Sequence, residues 1–548
     1  MKKNLTVWNL FSVVILAAFA LFIMYPIFLI LYRSVIHGDT GALTLQNFAH
    51  FFAKKFYWGT MVNSLKVTVV STILSAALGL PLAYLMRSVK IKGSSFLNIL
   101  IVISYLSPPF IGAYAWIQML GRQGVITQFL NDTFGLHYGG VYGFAGIVLV
   151  FTLQSFPLVY IYVSGALKNL DNSLNEAAES LGCSRMGRIW KIIVPLVMPT
   201  LLASSMLVFM RVFADFGTPM LIGEGYKTLP VLIYNQFMGE VSGDDGFAAA
   251  ICCIVIGLTI VMFFVQRFLA GRNTYAMTAL KPMAAESLGG LRNILAHLAV
   301  YMVVGLAILP QFVVVYTSFL ATNGGQVFTG GFALQSYDAT LFAKDNDVIW
   351  HTYFLGLCAI AAVLVLGVLI AYLSVRKRNT LNSILDVMTM FPFIIPGSVL
   401  GIAFVFAFNK SPIILTGTAL IMIISFAVRR MPYTVRSSTA ILGNISPSIE
   451  EAAISLGASD MTTFRKITVP MMMPGVLSGA IMSWVTIISE LSSSIILYTN
   501  STQTLTVSIY TEVIRGNYGN ASAYATILTV TSILSLLLFY KVTGRRDV

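Results

Sequence analysis

Charge is what this sequence has least of. Asp, Glu, Lys and Arg make up 10% of its 548 residues, where an ordinary soluble domain carries about 25%. With 57% apolar residues and a mean hydropathy of +0.84, most of the chain must face lipid or other membrane helices. Cysteine is scarce as well. Cys183, Cys252, Cys253 and Cys358 show no spacing that suggests a disulfide framework or a zinc site. The five histidines, His37, His50, His137, His297 and His351, stand alone, so no dedicated metal cage and no cofactor of the chain's own is expected. No Gly-Lys dipeptide occurs anywhere, which excludes a P-loop that could cradle phosphates. No nucleophile–base pair or metal motif supports an intramembrane enzyme. The net charge of +13 is scattered through loops and forms no stripe, which sets nucleic acid aside.

What the chain has in plenty is long apolar runs. A helix needs about 20 apolar residues to span a bilayer. Twelve runs reach that length, at roughly 8–32, 62–86, 97–119, 141–166, 194–216, 247–269, 293–319, 351–374, 382–408, 413–435, 470–497 and 521–541. The first outlasts a signal peptide's core and reads as an uncleaved span. Pro108, Pro109, Pro157, Pro310, Pro392, Pro396 and Pro432 fall within runs and read as kinks in packed helices. With the amino terminus inside, 24 of the 34 Lys and Arg fall in cytoplasmic segments, Arg87/Lys90/Lys92, Arg376/Lys377/Arg378 and Arg429/Arg430/Arg436 among them. This agrees with the positive-inside rule and leaves both termini cytoplasmic. Trp8, Tyr57, Trp58 and Trp350 read as interfacial anchors. The fold class expected is an all-α polytopic membrane protein.

The chain is written twice. Glu176–Pro199 and Glu451–Pro474 align without a gap at an offset of 275, with 14 of 24 positions identical. Ala83-Tyr84-Leu85 matches Ala371-Tyr372-Leu373 at 288, as Pro108 does Pro396. Pro157 matches Pro432 at 275, and the Thr228–Tyr234 pattern returns at Thr504–Tyr510. Two halves follow, residues 1–275 and 293–548, joined by a cytoplasmic linker at 276–292. Six spans per half is an even number, so the repeats are parallel, related by a pseudo-two-fold along the membrane normal.

The repeated stretches are polar loops at 171–195 and 446–470. Ser173-x-x-Glu176 and Ser448-x-x-Glu451 read as capping boxes that start short helices. Gly182 and Gly457 break them, and Ser184 and Ser459 cap second short helices. The bland alternative is an amphipathic hairpin that buttresses the bundle. Charge inside the membrane is the second signal. Arg211 and Asp215 are four residues apart on one helix face, and Glu490 is Asp215 plus 275. Acids in spans usually face a bundle interior or a water path, so Arg211, Asp215 and Glu490 are candidates for a translocation path or gate. The structural alternative is an Arg211–Asp215 ion pair, with Glu490 capping a helix end. The segments Thr228–Phe237 and Thr504–Val513 are either contacts for an outside partner or caps on the bundle.

Glu-Ala-Ala, three residues, Gly and a later Pro, placed before the penultimate span of a six-span unit, resembles the cytoplasmic EAA loop of ABC importer permeases. Asp215-Phe216-Gly217-Thr218-Pro219 and Glu490-Leu491-Ser492-Ser493-Ser494 resemble the corresponding parts of fused ferric-iron transport permeases. That resemblance covers nearly the whole chain. It implies a type I importer permease fold in a bacterial inner membrane. It implies that Glu176, Ala177, Ala178 and Gly182, with Glu451, Ala452, Ala453 and Gly457, form coupling helices seated in two copies of a separate ATP-binding subunit. ATP and Mg would then sit on those subunits, and a soluble or lipid-anchored binding protein would deliver the substrate. The chain itself is not expected to be an enzyme. Ferric iron is the expected substrate, and carboxylates suit a hard cation. Relatives carrying polyamines, thiamine or aminoethylphosphonate share the architecture. The alternative class is an ion-coupled secondary transporter, which leaves the duplicated loop unexplained.

Overall fold

A computed structural model of the chain describes residues 7–37, 41–135, 137–239, 245–271, 285–323, 327–342 and 347–543. Most of the expected linker, through residue 284, lies outside them. The first half contains α1 (Val7–Ser34), α2 (Lys55–Ser88), α3 (Ser94–Leu106), α4 (Pro109–Leu120), α5 (Gly143–Lys168), α6 (Ser173–Ser180), α7 (Arg185–Ala214), α8 (Gly217–Ile222), α9 (Leu229–Met238) and α10 (Asp245–Gly271). The second half repeats them in order as α11 (Gly290–Ser318), α12 (Val348–Arg376), α13 (Thr380–Ile394), α14 (Gly397–Phe408), α15 (Ala419–Asn444), α16 (Ser448–Ser455), α17 (Asp460–Ile488), α18 (Ser494–Leu497), α19 (Leu505–Arg515) and α20 (Tyr518–Thr543). An antiparallel hairpin of β1 (Leu320–Asn323) and β2 (Val327–Phe332) follows α11.

Helices dominate because no water in the hydrocarbon region can satisfy open backbone groups. Among the described residues nine helices are long and apolar enough to cross a membrane, or eleven with each bent pair taken as one span. Twelve were expected. The remaining segment is α15, whose 26 residues suffice in length but which carries Arg429, Arg430 and Arg436. Two expected kinks are full breaks. α3 and α4 meet at 100° and α13 and α14 at 111°. Ser107 and Pro108 are extended at the first break, as are Ile395 and Pro396 at the second. Proline disfavours the α conformation of the residue before it, and here it ends the helix.

Each half is built around three packed helices, α2, α5 and α7 in the first and α12, α15 and α17 in the second. Close approach depends on glycine at equivalent places. A Cβ at Gly79 would lie 2.7 Å from Val159 Cβ, and one at Gly367 would lie 2.8 Å from Thr434 Cγ2. The leading helices are exchanged. α1 packs on α13 and α14 of the other half, with Ser12 Oγ donating to Asn382 Oδ1 at 2.6 Å and Phe22 5.7 Å from Phe408. α11 packs reciprocally on α3 and α4. The exchange buries Trp8 against Tyr372 and Phe464, at 4.7 and 5.2 Å between ring centres. Trp8 is therefore a core residue and not the interfacial anchor expected, whereas Trp350 is exposed. Across the seam Tyr114 Oη on α4 donates to the Tyr518 carbonyl at 2.6 Å and lies 2.9 Å from Ser522 Oγ on α20.

Candidate functional site: two elbows and a central polar cluster

α6 and α16 are short amphipathic helices, each ending in a left-handed glycine. Gly182 has φ +78° and Gly457 has φ +92°. Both ends are Schellman motifs. Gly182 N donates to Glu179 O and Cys183 N to Ala178 O, while Gly457 N donates to Ile454 O and Ala458 N to Ala453 O. Ser184 and Ser459 then cap the next helix, accepting from Gly187 N and Thr462 N at 3.2 Å each. The expected capping boxes at Ser173 and Ser448 are absent. Asn172 and Pro447 precede the helices, neither with a side-chain cap bond. Glu176 instead accepts from Asn172 Nδ2 at 2.9 Å. The second helices are not the separate short helices expected either. Each runs on through a π segment, Ile189–Ile193 or Phe464–Thr468, into the long helix of α7 or α17. The first-turn prolines are tolerated there because their missing N–H falls where the widened turn already lacks a regular bond.

The elbows leave apolar side chains uncovered. Leu181 is 87% and Leu456 89% exposed, at equivalent positions. Glu451, Ala452, Ala177 and both glycines are also exposed, whereas Ala453 is buried and Glu176 and Ala178 are half-buried.

At their other ends, α7 and α17 deliver the two acids. α7 ends at Ala214, so Asp215 leaves the helix with ψ 130° and does not share a face with Arg211 as expected. Its Oδ1 accepts from Thr218 N at 2.9 Å. Arg211 lies over the Tyr105 ring at 4.6 Å, and no ion pair joins it to Asp215 among the described residues. Glu490 Oε1 accepts from Ser493 N at 3.2 Å. Both acids thus cap the short helix that follows, α8 or α18.

Glu490 does more. Its two oxygens accept separately from Arg429 Nη1 and Arg430 Nη2 of α15, and its side chain is 2% exposed. A cytoplasmic loop was the expected place for these arginines, and the structure puts them inside the bundle. Gly397, opening α14, gives Arg429 its room, since a Cβ there would lie 2.3 Å from Nη1. The signal for this pair was present in the sequence. An offset of 275 places Gln154 and Ser155, two polar residues in an apolar run, opposite Arg429 and Arg430. The loops from the two halves meet. A Cβ at Gly217 would lie 3.0 Å from Leu491 Cδ2, and Phe216 packs on the equivalent pair Tyr234 and Tyr510. α9 and α19 support this junction with buried first turns. Among the described residues no group of three His, Cys, Asp or Glu could hold a metal ion.

The family described as binding-protein-dependent transport system inner membrane component matches residues 75–275 and again 363–546. The chain belongs to that family. It is a fused permease, with two family units in one chain, and a multi-pass inner-membrane transport subunit of the ABC importer class. The permease is 30% identical over 546 residues to the ferric transport system permease protein FbpB of Actinobacillus pleuropneumoniae, covering 98% of this chain and 78% of that protein. It is likewise 30% identical over 505 residues to the putative ferric transport system permease protein FbpB 1 of Haemophilus influenzae, covering 90% and 78%. The molybdenum transport system permease protein ModB of Escherichia coli is 28% identical over 218 residues, 39% of this permease and 93% of ModB. ModB thus has the length of one half.

Proposed function

We propose that this permease passes ferric iron from an outside binding protein into the cytoplasm, driven by two copies of a separate ATP-binding subunit. The observation that carries the coupling is the pair of matched elbows, each presenting an uncovered leucine beside a left-handed glycine. Glu176, Ala177, Ala178 and Gly182, and Glu451, Ala452, Ala453 and Gly457, are the contacts for the ATP-binding subunits. ATP and Mg bind on those partners. The elbows and both termini face the cytoplasm. α7 and α17 each run unbroken from an elbow to Asp215 or Glu490, so a push at the elbow reaches the junction where the two halves meet. Arg211, Asp215 and Glu490, with Arg429 and Arg430, form the gate of the path. Likeness over 98% of the chain to a ferric transport permease supports iron as the cargo.

One observation favours a second reading. Three guanidiniums, Arg211, Arg429 and Arg430, stand against two carboxylates, Asp215 and Glu490, leaving one excess positive charge that suits an oxyanion or phosphonate. Uptake into vesicles holding the assembled transporter decides between them. Ferric ion, molybdate and 2-aminoethylphosphonate are each supplied with the cognate binding protein. Vanadate-sensitive uptake of iron alone is expected. Uptake that survives vanadate and follows an ion gradient would sink the importer reading.

A further inference from the structure

The two central acids sit in matched surroundings with different donors. The Glu490 carbonyl accepts from Ser494 Oγ at 2.9 Å and from Thr506 Oγ1 at 2.8 Å. Thr506 Oγ1 also lies 3.0 Å from Thr504 Oγ1, so one hydroxyl joins the acid's backbone to the start of α19. At the same offsets, 275 and 276, the first half has Pro219 and Pro230. Proline has no side-chain donor, so Asp215 cannot be held in this way. The frame around it is otherwise kept. Ser64 Oγ accepts from Leu229 N at 2.7 Å, as its counterpart Thr352 Oγ1 does from Leu505 N at 2.7 Å.

Beside the two prolines lies a small polar cavity. Asp215, Pro219, Thr228, Ser64 and Thr68 line it, and the rest of its wall is apolar. It measures about 10 Å³, close to the least that admits one water. Thr228 is 4% exposed, and its Oγ1, the counterpart of Thr504 Oγ1, has no hydrogen-bond partner among the described residues. A buried hydroxyl in that position costs stability unless something pairs with it. Ser64 Oγ, having accepted from Leu229 N, still has a proton to give. A buried water needs roughly two to four polar partners, and Asp215, Thr228 and Ser64 supply them.

We propose that one ordered water sits in this cavity in place of the Thr506 hydroxyl, donating to the Asp215 carbonyl and pairing with Thr228 Oγ1. The second half's acid is tied to α19 by a side chain of the protein. The first half's acid is tied to α9 through a water, which can leave and return. Asp215 is then freed from α9 by the loss of one solvent molecule when the junction of the halves moves. That last step rests on the gate role given to Asp215 above.

A structure of the assembled transporter, determined finely enough to show ordered water, tests the site. A peak about 2.7–3.0 Å from both the Asp215 carbonyl and the residue 228 hydroxyl is expected in wild type and in Thr228→Ser. It should vanish in Pro230→Thr, which carries the hydroxyl itself, and in Thr228→Val, which removes a partner. Thr228→Val leaves the prolines in place and decides the matter if Pro230→Thr fails to assemble. No peak in wild type overturns the proposal. So does a peak that survives Thr228→Val, or one seen only in sodium buffer, which makes the occupant a cation. Vanadate-sensitive iron uptake reads the consequence separately. Pro230→Thr makes the link permanent and should slow uptake several-fold while unfolding at no lower a temperature than wild type. If the water is displaced and uptake is unchanged, the water site stands and it is the gate role of Asp215 that fails.

Discussion

Neutralising Glu490 tests the central cluster most directly. Its carboxylate is shared by two guanidiniums from adjacent residues of α15. Glu490→Gln leaves both charges inside the bundle without a counter-ion. Removing one partner of a buried pair costs about 3–5 kcal/mol, and two stranded arginines put this site at the upper end. Gln keeps one acceptor oxygen for Ser493 N and Arg429, which share Oε1, but its amide NH2 then donates where Arg430 needs an acceptor. Thermal unfolding of the purified permease in detergent should therefore shift down by several degrees, with transport lost. The triple variant Arg429→Met, Arg430→Met, Glu490→Met removes all three charges of this ion-paired group at once. Replacing a whole buried ionic group by apolar residues is often neutral or stabilising by about 1–4 kcal/mol, so it should unfold near the wild-type temperature yet stay inactive. The reasoning fails if Glu490→Gln unfolds within a degree of wild type, or if the triple variant is the less stable of the two.

Other outcomes follow from the same geometry. Gly182→Ala and Gly457→Ala meet no neighbouring atom within 4 Å, so their cost is the left-handed backbone alone, about 1–2 kcal/mol; ATP hydrolysis without transport should result, read as the ratio of the two rates. Leu181→Asp and Leu456→Asp change uncovered positions and should alter permease stability by no more than about 0.5 kcal/mol, while co-purification of the ATP-binding subunit falls sharply. Tyr114→Phe strips the cross-seam bonds to Tyr518 and Ser522 and should cost about 1–3 kcal/mol in thermal unfolding without changing membrane insertion.

Much of the architecture was legible in the sequence because length and apolarity decide which segments sit in lipid. The duplicate offsets at 275 and 288 placed the elbows and the pair Asp215 and Glu490. Two readings went astray because one-dimensional patterns do not say what lies across the bundle, and a third because a helix ends earlier than its apolar run. Arg429 and Arg430 sat at the edge of an apolar run and resembled loop cations, but Glu490 reaches them from 60 residues on. Trp8 sat at a span end, where interfacial tryptophans are common, but the exchanged helix buries it against Tyr372. Arg211 and Asp215 had the spacing of a helical ion pair, but the helix stops at Ala214. The prolines at 108 and 396 read as kinks, and the structure makes them full breaks. Whether a proline bends a helix or ends it depends on what packs beside the break.

The exchange of α1 and α11 sets an order for biogenesis. Ser12, fully buried in the finished protein, donates to Asn382, which leaves the ribosome 370 residues later. Until then only the later turns of α1 have a partner, α10 of the same half, and the turns around Ser12 must wait in lipid with a polar seam uncovered. The first half cannot close before the second is made, and the second cannot close without α1. A chain cut at the linker would have to find its other piece while both were still incomplete. Fusing the halves turns that search into a wait.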